Sequence, residues 1–144
     1  DGANVEIYNA VGKENIFIFG ISVREAEQLK EEGTYSPWSY YQDNRSIAPA
    51  IQFLANGIPG VSFGDIINSL TTGFNGEADQ YFVFADFESY KTAQMDVVRA
   101  YQDASRWGGM SLTNIAKAGI FSADRSVREY ADGIWGLKSL YDPV

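Results

Sequence analysis

The side chains in this sequence that could do acid–base chemistry are carboxylates, lysines and tyrosines, with carboxylates the most numerous. The 144 residues contain no histidine and no cysteine. That excludes a Ser-His-Asp triad, an imidazole acid or base, a thiolate nucleophile, a disulfide and the usual zinc sites. Acid–base chemistry would have to come from Asp, Glu, Lys or Tyr. Asp86 and Glu88 lie close in sequence, beside Phe84, Phe87 and Tyr90. Such a pair could act on a glycosidic bond if its separation suited the reaction. The simpler reading is that Asp86 caps a following helix and Glu88 favours that helix's positive end. Glu77 and Asp79 occupy a polar loop that lacks the alternating oxygen ligands of a calcium loop, and they read as solvated.

Two glycine clusters and one aromatic cluster complete the candidates. Gly57-Ile58-Pro59-Gly60 and Gly108-Gly109 fit neither a Walker loop nor a dinucleotide fingerprint, and Pro59 removes an amide from the first. They read as a surface turn and a helix bend. Tyr35, Trp38, Tyr40 and Tyr41 are the densest aromatic group. Aromatic faces stack on sugar rings, so a glucan- or protein-binding module built on Tyr35–Tyr41 is the alternative to plain packing under a loop. The Asn44-Arg45-Ser46 sequon carries no weight, since such triplets arise by chance.

The elements that must position these residues follow from patterning. At 144 residues, 45% hydrophobic and 15% aromatic, the chain is long and apolar enough for one globular domain. A formal charge of −8 argues against nucleic acid, which needs a basic stripe. No apolar run approaches a membrane span, and no signal-peptide pattern opens the chain, so the expectation is a soluble cytoplasmic protein. Asn4–Ile7 and the run Asn15–Phe19 read as strands, the second covered on both faces. Ser22 and Glu25 form a capping box before a helix with Val23, Ala26 and Leu29 on one face, stopped by Gly33. Together these make a βα unit and an α/β fold, helix-rich overall.

Further on, Ser46–Leu54 reads as a helix with Ile47, Ala50, Ile51 and Leu54 inward and Pro49 in its first turn. Gly57–Gly64 is a loop and Phe63–Leu70 a short helix ending near Gly73. The polar stretch Asn75–Gln80 leads to Tyr81–Ala85, read as extended, with a helix beginning near Asp86 or Glu88. That helix runs to Gln102 with Tyr90, Ala93, Val97 and Tyr101 as its stripe. A helix over Ser105–Ala118, interrupted or bent at Gly108-Gly109, follows. The last, about Asp124–Leu137, starts at a Ser126…Glu129 capping pattern and turns Val127, Tyr130, Ala131, Ile134 and Trp135 inward. The tail Ser139–Val144 is loose.

Four blocks of this sequence resemble the α-glucan phosphorylases, the glycogen, starch and maltodextrin enzymes. They are Asp1-Gly2-Ala3-Asn4-Val5-Glu6-Ile7, Asn15-Ile-Phe-Ile-Phe-Gly20, Phe84–Tyr90 with Ala100-Tyr101, and Asn114–Ala116 through Gly119, Phe121-Ser122, Asp124-Arg125, Arg128–Ala131 and Ile134-Trp135. Their order matches the family at both ends of the chain. Departures are Gly108-Gly109 after Trp107, Ala123 in place of a serine, and a poorly matched middle near Tyr35–Gln80, which bear on substrate preference.

The resemblance implies a C-terminal fragment forming the C-terminal part of the Rossmann-like second domain of a two-domain enzyme. Residues 1–144 would be one domain, with the helix near 124–137 crossing to the N-terminal domain. The parent would phosphorolyse terminal α-1,4-glucosidic bonds to glucose 1-phosphate using pyridoxal phosphate. Its cofactor lysine would lie upstream of Asp1. In this segment the resemblance implies no catalytic, cofactor-binding or metal residue, no bound cofactor, and no activity alone. The partners implied are the remainder of the chain and, in the parent, glucan and phosphate, with no nucleic acid and no membrane. Without that remainder, the Tyr130/Ile134/Trp135 face favours self-association.

Overall fold

The computed structural model describes residues 2–73, 76–138 and 140. Among them, eight α-helices carry the regular structure: α1 (Gly2–Val11), α2 (Val23–Glu32), α3 (Pro37–Asp43), α4 (Ile47–Asn56), α5 (Gly64–Thr71), α6 (Val83–Gln102), α7 (Ala104–Lys117) and α8 (Ala123–Tyr130). Short 3₁₀ turns cover Lys13–Asn15 and Ala118–Phe121, and a π-helical turn covers Ala131–Trp135. None of the helices is long and apolar enough to cross a membrane, among the described residues.

The helix-rich expectation holds, but the strands do not form. Residues 4–7 lie inside α1. A four-residue alternation is a weak signal, and a helix satisfies its backbone groups locally, with no neighbouring strand required. Ile16 is extended at φ −145°, ψ 148°, yet the run 15–19 joins no ladder. The amides just beyond it are taken by side chains of α6: Gly20 N–H donates to Ser89 Oγ at 2.8 Å and Ile21 N–H to Asp86 Oδ1 at 2.8 Å. Among the described residues the α/β reading is therefore corrected to a helical one without strands; an isolated β-bridge joins Ile58 and Val61.

The described residues divide into two units, Ile18–Val97 and the residues through Phe17 with those from Val98. In the Ile18–Val97 unit, α2 starts and stops as its sequence dictates. Ser22 Oγ accepts from Glu25 N–H, Glu25 accepts from Ser22 N–H at 2.7 Å, and Gly33 closes the helix at φ 60°. The core is Ile47, Ile51 and Phe84, with Tyr40, Tyr41, Leu54, Ile67, Leu70 and Phe87 packed on it. Ile47 and Ile51 come from one face of α4, four residues apart, while Ala50 is exposed. Helix α6 begins at Val83, so residues 83–85 are helical and not extended as expected. The reason is a cap by Asp79, whose carboxylate accepts from the first amides of the helix.

In the other unit Val11, Ala100 and Met110 are buried. Asn114 Nδ2 ties α7 to the first 3₁₀ turn by donating to Asn15 O at 2.8 Å, and it also reaches Met110 O at 2.9 Å. Helix α7 runs without a break through Gly108-Gly109, because its i→i+4 ladder and Asp103 cap tolerate two glycines inside fourteen residues. The cap of α8 is Ser122, whose Oγ accepts from Arg125 N–H at 3.1 Å. Ser126 and Glu129 are not the box that was expected. Ser126 Oγ donates to Ser122 O at 3.3 Å, and Glu129 pairs with Arg125 at 2.7 Å. The face expected to be inward is open, with Val127, Tyr130, Ile134 and Trp135 each more than half exposed.

Candidate functional site

Three of the carboxylates singled out from the sequence, Asp79, Asp86 and Glu88, lie with Tyr35 in the Ile18–Val97 unit, at or beside the first turns of α6. Asp79 is the centre. It is buried, 3% exposed, and not solvated as its loop suggested. Its Oδ1 accepts from Val83 N–H at 2.8 Å, and its Oδ2 from Phe84 N–H at 2.8 Å and from the Tyr35 hydroxyl at 2.5 Å. One carboxylate thus satisfies two orphan amides of α6 and ties them to a residue 44 positions upstream.

The turn that makes this possible is strained. Asp79 has φ 46° and Phe82 has φ 59°. Aspartate tolerates that region, whereas for phenylalanine it costs about 1–3 kcal/mol. Phe82 is held there by burial and by the Tyr35 ring, 4.7 Å away between centroids. Burial, then the Asp79 acceptor and its charge, push the Tyr35 hydroxyl well above the usual phenol range. Tyr35 therefore keeps its proton and serves as a donor, not as a base.

Asp86 and Glu88 do not form an acid–base pair. Two residues apart on a helix, they point in different directions. Asp86 is not the cap of α6. It accepts from Ile21 N–H, and a Cβ on Gly20 (φ +96°) would lie 2.7 Å from its Oδ2, so glycine is required there. Glu88 accepts from Asn44 Nδ2 at 2.8 Å and from Lys91 Nζ at 3.0 and 3.1 Å. The Asn44 hydrogen bond, and then Lys91, hold its carboxyl below the usual range. Lys91 also donates to Ser46 Oγ at 2.7 Å. The link Asn44–Glu88–Lys91–Ser46 clips the α3–α4 junction to α6. Asn44, whose sequon meant nothing, is a structural residue whose Oδ1 also accepts from Ser46 N–H at 2.8 Å.

The aromatic cluster separates into two pairs. Tyr35 and Tyr40 meet at 5.5 Å, tilted by 46°, and line a pocket of about 580 Å³ with Leu29, Ser39, Asp43 and Arg45. Trp38 and Tyr41 meet edge-to-face at 5.2 Å, with Trp38 half exposed. The glycine candidates are structural: Gly57 and Gly60, at φ 63° and 81°, flank a tight turn in which Val61 N–H donates to Ile58 O at 2.9 Å. Among the described residues no group of Asp and Glu side chains is arranged to hold a metal ion.

Pyridoxal phosphate would need a lysine facing a cavity that also offers donors for a phosphate. The lysines here do not supply that. Lys91 is committed to Ser46 and Glu88, and Lys30 lies over the Phe82 ring at 5.5 Å. Lys117 borders a groove whose other lining residues are Ile7, Val11, Asn114, Ile115, Ala118 and Phe121, with no second cation. Lys30, Lys91 and Lys117 therefore do not fit that role.

Comparison with known proteins agrees with the resemblance read from the four blocks. Residues 1–137 match the family described as Phosphorylase, carbohydrate phosphorylase. The chain is 41% identical over 140 residues to a glycogen phosphorylase of Synechocystis, covering 96% of this chain and 16% of that protein. It is 39% identical over 143 residues to a glycogen phosphorylase of Bacillus subtilis, covering 97% and 17%. A cytosolic alpha-glucan phosphorylase 2 of Arabidopsis thaliana is 38% identical over 145 residues, with 96% and 16% covered. The chain thus spans about a sixth of the length of the curated relatives it matches.

Proposed function

The chain belongs to the carbohydrate phosphorylase family, and from that premise we propose that it is a non-catalytic scaffold segment of an α-glucan phosphorylase. The whole enzyme would release terminal α-1,4-linked glucose as glucose 1-phosphate, with pyridoxal phosphate supplying proton transfer through its phosphate group. The segment would sit at the C-terminal end of that enzyme's Rossmann-like second domain, in the cytoplasm. The observation that carries this reading is the match itself: nearly the whole chain aligns, to about a sixth of each relative.

The use made of the carboxylates supports the scaffold role. Asp79, Asp86 and Glu88 each accept hydrogen bonds from the protein's own amides or side chains, holding α6 to the segments around it. The test is to incubate the chain with maltodextrin, phosphate and pyridoxal phosphate and assay glucose 1-phosphate. None is expected from the chain alone; formation at a rate dependent on protein concentration would overturn the scaffold reading. Supplying the remaining five-sixths of a relative is expected to restore activity if the segment docks.

The open face of α8 and the following turn supports the partner reading. Tyr130, Ile134 and Trp135 are 51%, 69% and 59% exposed, and the Tyr130 and Trp135 rings meet at 5.9 Å, tilted by 51°. In the whole enzyme this face would be covered by the N-terminal domain, and in the isolated chain by a second copy. Sedimentation should show association that Ile134→Ser reduces.

A further inference from the structure

The pocket between α2, α3 and the start of α4 has a composition that the scaffold role does not use. Its wall is the Tyr35–Tyr40 pair, with Tyr40 backed by the Ile47–Ile51–Phe84 core. Its lining also includes Asp43, Asn44, Arg45 and Glu88 and the hydroxyl-bearing Thr34, Ser39 and Ser46. Asn44 and Glu88 are already fixed to one another, so their remaining hydrogen-bonding atoms are oriented before any ligand arrives. The Asp43 carboxylate and the Arg45 guanidinium make no hydrogen bond or ion pair with the described residues.

We propose that this pocket is a docking site for an uncharged oligosaccharide, placed on the scaffold apart from any catalytic centre. Three features select that chemistry. Tilted aromatic rings offer apolar faces to the C–H side of a pyranose ring. Carboxylate, amide and guanidinium groups present the paired donors and acceptors that vicinal hydroxyls need. The charges select against a phosphorylated sugar, because Asp43 and Glu88 outnumber Arg45 in the lining and the whole chain carries −8. At about 580 Å³ the pocket lies within the ordinary range for small-ligand sites. That the oligosaccharide is an α-1,4-glucan rests on the phosphorylase reading above. A glucan held here would gain a second point of attachment, which raises the local concentration of the polymer at the whole enzyme.

The experiment is a titration of the 144-residue chain with maltoheptaose, read by ¹H–¹⁵N NMR with binding heat measured in parallel. Saturable shifts are expected at residues 39–46 and at Glu88, and glucose 1-phosphate at the same concentrations should produce none. The exposed change Arg45→Ala should weaken binding about tenfold with the spectrum otherwise intact. Tyr40→Phe keeps the ring and should bind, whereas Tyr40→Ala should not. Trp38→Ala, outside the pocket, should leave binding unchanged. Absence of saturable shifts with both maltoheptaose and cellohexaose overturns the proposal, as does loss of binding on Trp38→Ala with Arg45→Ala unaffected. Neither result touches the phosphorylase assignment, which is read from phosphorolysis by the reassembled enzyme. If maltoheptaose fails while another neutral oligosaccharide, the β-1,4-linked cellohexaose, saturates at residues 39–46, the pocket stands and its α-1,4-glucan identity falls.

Discussion

The two units differ in how they satisfy themselves. The Ile18–Val97 unit has a core of side chains drawn from α3, α4, α5 and α6, and its polar groups bind across long stretches of sequence. Tyr35 reaches Asp79, Ile21 reaches Asp86 and Asn44 reaches Glu88, 44 to 65 residues apart. The other unit buries Val11, Ala100 and Met110, yet leaves Leu112, Ile115, Ile134 and Trp135 between 59% and 73% exposed. Its polar contacts are mostly helix caps and i→i+4 pairs, such as Ser122–Arg125 and Arg125–Glu129. A region can be well formed as helices and still lack a tertiary home, because caps and local ladders stabilise helices one at a time whereas burial requires a partner surface.

The largest effect that could break this comparison lies in the core. Phe84→Ala should cost about 4 kcal/mol in urea unfolding followed by far-UV dichroism, because it removes a ring that is only 4% exposed. Asp79→Ala should cost about 3 kcal/mol, since two helix amides and the Tyr35 hydroxyl lose their acceptor together. If either change proved neutral, the Ile18–Val97 unit would not be the self-sufficient one.

A smaller effect tests the same cluster by pH. In the folded chain Tyr35 holds its proton above the usual phenol range, so the unfolded chain loses its proton first as pH rises. Its contribution is fully present below roughly pH 10, the ordinary tyrosine value, and declines above it. The urea midpoint of the parent chain should therefore fall more steeply than that of Tyr35→Phe above that pH. Equal slopes would mean that the Tyr35–Asp79 bond does not persist in solution. The smallest effect belongs to the open face: Ile134→Ser should shift stability by no more than about 0.5 kcal/mol. A large loss would show that this face is covered within the chain's own fold.

Local chemistry was legible where it acts over a few residues. The Ser22–Glu25 box, the Gly33 stop, the inward Ile47 and Ile51 and the short helix before Gly73 are each written within one or two turns of sequence. The misses share a cause. Asp79 reads as a solvated loop carboxylate because its partners are a tyrosine far upstream and amides of a helix that starts three to five residues before its expected beginning. The supposed strand at 15–19 is extended at Ile16, but a strand exists only when a neighbour pairs with it, and no composition announces the absence of one.

By itself, then, the sequence determined the family, the helix caps and stops, and the exclusion of imidazole and thiol chemistry, since these depend on residue identity and short spacing. Only the tertiary structure decided that Asp86 and Glu88 part ways, that Asp79 is buried beneath Tyr35, and that the aromatic cluster divides into a pocket wall and an exposed pair. Those outcomes depend on which surfaces meet across tens of residues. Hydrogen bonds and burial at that range are set by packing, and no local pattern encodes them.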